Sequence, residues 1–405
     1  MMETSTDFLE RLLNFGDGWK IEDVEIRKSK KELYLHICYT KPTAICPHTN
    51  EDSKIYDYGQ ERTIRHLDLF EYKTYLRFRL PRVINSVKVI SSIKTSFADE
   101  RVSYTYLLEN RVIEILQATS NQSKTSELMD LSFDIVHGIM QRAVSRGLKR
   151  RSLDGINEVC IDEKSYGQGH QYFSILSDLN SDRLLEINDE RTTDSANELI
   201  QKTFTEEQRT KIGFIAMDMW KPFMQAAKES IPKAKIIHDK FHITKYLNKG
   251  VDTVRKQESK IDNHILKNTK YIFLKDKSRW TYAQSCTFEQ INQINLTTSK
   301  AWHIKENFKE LFNQMNINQC IKFFKEWYTN TLESDIKPMI SVADTILKHI
   351  DGVINAALYQ LTNARAESIN AKIQIVKSTA RGFKNFIGYR TSLMFFLGRL
   401  DMLSY

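Results

Sequence analysis

The chain has 405 residues, 41% of them hydrophobic and 11% aromatic, which is enough apolar material for a sizeable core spread over roughly two to four domains. Lys and Arg outnumber Asp and Glu by 59 to 51, a formal charge of +8 that favours an anionic partner without naming one. The five scattered cysteines (Cys38, Cys46, Cys160, Cys286 and Cys320) argue against a disulfide framework, and neither an export signal nor a long uncharged apolar run is evident, so the expectation is a cytoplasmic protein with no membrane partner.

In chain order, residues 20–95 alternate as strands do, as in ELYLHICYT and YKTYLRFRLP, with breaks at Pro42, Pro47 and Gly59. A small β-rich module is expected over 1–98. An amphipathic helical pattern follows in VSYTYLLENRVIEILQAT, then two short helical segments parted by a turn at Asp130 to Ser132, which suits a helix-turn-helix over 99–150. Ser132 is expected to cap a helix whose apolar side runs through Ile135, Ile139 and Val144, with Asp134, His137, Gln141 and Arg142 outward. That outward set suits a major groove or a plain linker helix. The basic exit Arg146, Lys149, Arg150 and Arg151 suits phosphate neutralisation or a solvated hinge.

The pattern then becomes strand, strand, strand, helix, strand, helix, strand: INEVCID, QYFSILSD, RLLEIND, TDSANELIQKTF, KIGFIAMD, KPFMQAAKES and AKIIHD. This order over 151–242 is that of a ribonuclease-H-like mixed α/β core. Residues 243–355 are helical, charged and aromatic, with Trp280, Trp302 and Trp327, and read as a large all-α insertion. Residues 356–405 would return to the core.

Three expected strands end in a carboxylate: Asp162 after VCI, Asp218 after FIAM and Asp239 after KIIH. Side chains at strand ends in open α/β sheets project into the ligand crevice, and Mg²⁺ takes only a few carboxylates while keeping several waters. In-line displacement at phosphorus develops charge on attacking and leaving oxygens, which two metal ions stabilise. Taken singly, a strand-end Asp more often caps a turn, and Glu367 alone reads as well as a solvated helix residue.

The stretches IDEKSYGQGHQY around Asp162, AMDMWKPF around Asp218, DKFHITK from Asp239 and NARAESINAKIQIVKSTARGFKNF around Glu367, in this order, resemble the insertion-sequence transposases of the ISL3 type. The resemblance spans most of the chain. It implies that Asp162, Asp218 and Glu367 are the catalytic, metal-holding acids of an Asp-Asp-Glu triad, with the α-helical insertion between the last two. Two Mg²⁺ ions, or Mn²⁺ in their place, are the implied cofactor. Asp239 and His242 would be auxiliary, although a helix-capping Asp and a packed His explain them nearly as well. Lys164, Arg365, Lys372, Lys377, Arg381 and Lys384 would put positive charge on the DNA backbone, or form a basic surface helix.

The resemblance also implies an N-terminal zinc ribbon built from two Cys pairs. Here the first pair reads Cys46, Pro47, His48, Thr49, and no Cys pair follows, so a ribbon-like module without zinc ligands is expected. The activity implied is binding of terminal inverted repeats, metal-dependent cleavage and strand transfer into target DNA, by a homodimer or larger assembly on DNA. A non-catalytic DNA-binding regulator and another ribonuclease-H-like nuclease are the competing readings.

Overall fold

A computed structural model describes residues 5–404 apart from 166–171, 191, 262, 295, 360–363, 381–382 and 384, and it leaves the side chains of 5–7, 263–264 and 364–367 undescribed. The chain forms two compact units, 1–151 with 400–405, and 152–399.

The first unit holds a mixed sheet of β1 (Trp19–Arg27), β2 (Glu32–Tyr39), β3 (Thr43–Ile45), β4 (Asp52–Arg65), β5 (Lys73–Ile84) and β6 (Ile90–Ser92), ordered β1-β2-β5-β4-β3 with β6 paired to β5. In β5 the alternation is clear: Thr74, Leu76, Phe78 and Leu80 are buried, while Lys73, Tyr75, Arg77 and Arg79 face the other way. Trp19, Phe78 and Phe97 pack edge to face with centroids 5.3 to 5.7 Å apart, in a core that also takes Leu35 and Leu76.

Three helices follow, Tyr106–Thr119, Gln122–Met129 and Phe133–Arg150, and the side chains of Thr105, Asn121 and Ser132 each accept a hydrogen bond from the backbone N–H three residues on. Asp130 takes a left-handed φ of 49° to end the middle helix, so the turn at Asp130 to Ser132 is observed. The third helix is 18 residues long rather than short. It buries Val136, Ile139, Met140, Ala143 and Val144, while Ile135 is only half-buried. Asn110 and Ser404 exchange hydrogen bonds of 2.7 Å and tie the carboxyl end of the chain to the first of these helices.

The second unit is built on a five-stranded sheet: β7 (Glu158–Ser165), β8 (Tyr172–Asp178), β9 (Arg183–Asn188), β10 (Phe214–Met217) and β11 (Lys235–His238), ordered β11-β10-β7-β8-β9. β7, β8 and β9 are antiparallel neighbours, whereas β10 runs parallel to both β7 and β11. Val159, Ile161, Leu176, Leu185, Ile215 and Met217 form its core with the helices Thr193–Thr203 and Lys221–Ser230. The expected strand and helix order is present. The chain adds a short helix, Glu206–Lys211, closed by a Thr205 and Gln208 capping box.

From Lys240–Glu258 to Ile350–Tyr359, helices are the regular structure among the described residues. Trp302 and Trp327 are 3% and 2% exposed in their core, Trp280 stacks on Trp302 at 5.2 Å, and the Trp327 indole donates to the Ile304 carbonyl at 2.9 Å. These three rings are packing residues. Two further helices, Ala364–Thr379 and Phe386–Leu397, complete the unit. No helix among the described residues is long and apolar enough to cross a membrane.

Candidate active site at the carboxyl edge of the second sheet

Sheet register puts the three aspartates side by side. Ala216 pairs with Cys160 and Met217 with His238, so both parallel registers, continued past β10, set Asp218 level with Asp162 on one side and Asp239 on the other. Parallel neighbours lie about 4.8 Å apart, which brings three carboxylates to one edge. Asp162 is not itself a strand end. β7 runs on to Ser165 because its antiparallel partner β8 continues the ladder, pairing Asp162 with Ile175 and Ser165 with Tyr172. Asp162 lies beyond the last paired residue only on the β10 side.

Each acid is held locally. The Asp162 Oδ1 accepts from the Glu163 N–H at 2.8 Å, and the Asp218 Oδ1 accepts from the Met219 N–H at 2.5 Å. Asp239 caps the helix Lys240–Glu258 by accepting from the Phe241 N–H at 2.8 Å, as a capping Asp does. His242, in the first turn of that helix, stands 3.2 Å from Asp239 through Nδ1 and 3.9 Å from Asp218 through Nε2. The Asp239 carboxylate raises the His242 pKa above its ordinary value, and burial opposes it.

The helix Ala364–Thr379 lies against the same edge. Asn370 donates from Nδ2 to the Asp162 Oδ2 at 2.7 Å, and its carbonyl accepts from the Lys164 Nζ at 3.0 Å. Further along, Lys377 donates to the Ser165 carbonyl at 3.3 Å, and Lys372 pairs with Asp182. Burial lowers the Lys164 pKa. Glu367 is in the first turn of this helix, and its side chain and that of Arg365 lie outside the described residues, as does Arg381 altogether. Asn370 escaped the sequence reading, although its place three residues after Glu367 puts both positions on one helix face.

The other basic and polar candidates fall into two groups. Gln141 and Lys149 are exposed, Gln141 touching the His137 ring at 3.1 Å. His137 in turn meets Gln122 at 3.0 Å. Arg142 is half-buried, its guanidinium 5.0 Å over the Tyr104 ring and 3.8 Å from Glu109, and so is not a free outward side chain. Arg150 donates to the Leu403 carbonyl at 2.7 Å and stands 3.4 Å from Asp401. Trp220, at the N-cap of Lys221–Ser230, is 40% exposed beside Asp218.

No three His, Cys, Asp or Glu side chains among the described residues are already gathered as a metal cage. The donors at the edge are nonetheless hard carboxylate oxygens, which is the ligand chemistry that Mg²⁺ and Mn²⁺ take.

Comparison with known proteins finds two family models that match the chain. A family model described as a transposase, of the DDE class and ISL3 type, matches residues 159–393, from β7 into the helix Phe386–Leu397. A second, described as the zinc-finger of the transposases of IS204, IS1001, IS1096 and IS1165, matches residues 42–84. The transposase for insertion sequence element IS1001 of Bordetella parapertussis is 20% identical over 358 residues, 86% of this chain and 88% of the relative. The transposase for insertion sequence element IS1557 of Mycobacterium tuberculosis is 21% identical over 372 residues, 84% of this chain and 82% of the relative. With the first match covering more than half its length, the chain belongs to the ISL3-type family of DDE transposases.

Proposed function

We propose that this transposase cuts and joins DNA at the β7 and β10 edge, with Asp162, Asp218 and Glu367 as its acid triad. The observation that carries the reading is the helix Ala364–Thr379, seated on the edge by the Asn370 bond to Asp162, with position 367 on the same helix face as Asn370. The strand order, with three antiparallel strands followed by two parallel ones, supports a ribonuclease-H-like reading of the sheet.

Asp162, Asp218 and Glu367 would hold two divalent ions, Mg²⁺ or Mn²⁺, which when bound activate water or a 3′-hydroxyl and offset charge on the scissile phosphate. The protein's own groups fix the acids: Asn370 and the Glu163 N–H orient the two oxygens of Asp162, and the Met219 N–H orients Asp218. His242, whose pKa the Asp239 carboxylate raises, would stand beside Asp218 to meet a phosphate oxygen or water. Lys164 and Lys377, placed along the helix, and Arg365 and Arg381 by sequence, would line the path of a DNA backbone. Lys372 is assigned the same path, and its ion pair with Asp182 would have to open for it to reach a phosphate.

The β module and the three helices of the first unit would bind terminal inverted repeats, with the helix Phe133–Arg150 as the reading helix. Gln141 and Lys149 are its exposed polar positions, whereas Arg142 and Arg150 would first leave partners of their own. Cutting two element ends and joining them to a target requires both ends together, so a dimer or larger assembly on DNA is part of the proposal.

The test is a Mg²⁺-dependent cleavage assay on DNA carrying the element's ends. Asp162→Ala, Asp218→Ala and Glu367→Gln should each abolish cutting while DNA binding persists. Continued cleavage by the Asp218→Ala protein overturns the triad, and binding without cutting by the unaltered protein favours a regulator instead.

A further inference from the structure

The zinc-finger match covers residues 42–84, yet the side chains there do not compose a zinc site. Structural zinc takes four Cys or His ligands at about 2.0 to 2.3 Å. Between Pro42 and Ile93 the candidates are Cys46, His48 and His66. His48 is exposed, and His66 is buried elsewhere, its Nδ1 2.9 Å from the Thr105 hydroxyl. What meets the Cys46 sulfur is an amide and a hydroxyl, which are poor zinc donors.

We infer that a hydrogen-bonded plug of Cys46, Asn85 and Ser91 occupies the place of the metal, making this ribbon a fold that holds without zinc. Cys46 is fully buried, with the Ser91 hydroxyl 3.7 Å and the Asn85 Nδ2 3.8 Å from its sulfur. Four thiolates at about 2.3 Å from a tetrahedral zinc are about 3.8 Å from one another, so both groups stand at the spacing of absent ligands. The turn that would present a Cys pair is kept: the Cys46 N–H donates to the Glu51 carbonyl and the Asn50 N–H to the Cys46 carbonyl, each at 2.9 Å, and Asn50 takes a φ of 57°. Thr49 stands in that turn where the second Cys of a pair would be.

The opposite turn is built to aim Asn85. Its Oδ1 accepts from the Val87 N–H at 3.2 Å and the Val89 N–H at 2.8 Å, which leaves Nδ2 to face Cys46. Donors converging on the sulfur also pull the Cys46 pKa down to about 6, as metal would. The plug thus joins the β3 to β4 turn to the β5 to β6 turn, the link that zinc makes in a ribbon.

The experiment uses the full chain, purified without chelator. The expected result is no stoichiometric zinc by elemental analysis and a melting temperature unmoved by EDTA. Zinc at one ion per chain, with melting lowered on its removal, overturns the inference. The combined variant Thr49→Cys, Asn85→Cys, Ser91→Cys should bind Co²⁺ with thiolate charge-transfer and tetrahedral d–d absorption. A variant that folds by circular dichroism and leaves Co²⁺ unbound overturns the placement. Should that variant not fold, Ser91→Cys alone is oxidised with diamide: a disulfide between position 91 and Cys46 is expected, and free thiols in the folded protein overturn it.

Discussion

Asn370 donates to the outer oxygen of Asp162 across 208 residues of sequence, the contact that sets the helix Ala364–Thr379 against the sheet edge. Replacing Asn370 by Ala removes the donor without touching any proposed ligand. Loss of a group that orients a metal ligand typically costs 10- to 100-fold in activity or metal affinity, so cleavage by Asn370→Ala should fall by about that factor. The Mg²⁺ concentration for half-maximal rate should rise with it. An unchanged Mg²⁺ dependence in a folded variant would show that Asp162 does not rely on this bond.

Gly352, in the helix Ile350–Tyr359, lies where any added Cβ would come within 2.3 Å of the His238 ring on β11. Gly352→Ala should therefore destabilise the second unit by about 1 to 3 kcal/mol, through overpacking of a buried contact. Thermal melting of that variant and of the double variant with His238→Ala provides the check, and the second change should recover part of the loss.

Arg390 forms a two-point ion pair with Glu186, joining the helix Phe386–Leu397 to β9, with its Nε 2.7 Å and its Nη2 2.5 Å from the two carboxylate oxygens. Arg390→Lys keeps the charge but cannot reproduce the fork, and is expected to cost about 1 kcal/mol. Urea unfolding curves of the two proteins at equal ionic strength would measure it.

His66 is buried beneath the β module, and burial pushes its pKa down to about 4 from 6.5. The folded state thus binds fewer protons than the unfolded state between those values, and stability falls as pH drops from 6.5 toward 4. About 2 kcal/mol of stability in the first unit should disappear between pH 7 and 4.5 through this group. His66→Gln should flatten that part of the pH profile of urea unfolding; an unchanged slope would remove His66 as its source.

Much of the second unit is legible from local pattern. Its strands are short apolar runs between turn residues, and the match of Asp218 and Asp239 to the ends of FIAM and KIIH follows directly. Asp162 misled that reading because its strand is paired further on one side than on the other, a property of two partners and not of the run itself. The basic candidates were harder still. Lys372, Lys164 and Arg150 look like free phosphate binders until Asp182, the Asn370 carbonyl and the Leu403 carbonyl come into view, 190, 206 and 253 residues away. In the third helix Arg142 reads as outward by helical period, but the first of the three helices offers it Glu109 and Tyr104 supplies a ring face. The plug around Cys46 has no sequence signature, since Asn and Ser at such spacing are ordinary turn residues.

The long separation between Asp162 and Asn370 orders events during synthesis. All five strands of the second sheet have left the ribosome when residue 238 emerges, and at about 5 to 20 residues per second many seconds pass before the helix that closes their edge follows. Through that interval Asp162 keeps its local bond to the Glu163 N–H but lacks the Asn370 donor. A premature stop anywhere in the helical insertion leaves the sheet without the helix Ala364–Thr379, and the first unit without residues 400–405 that bond to Asn110 and Arg150.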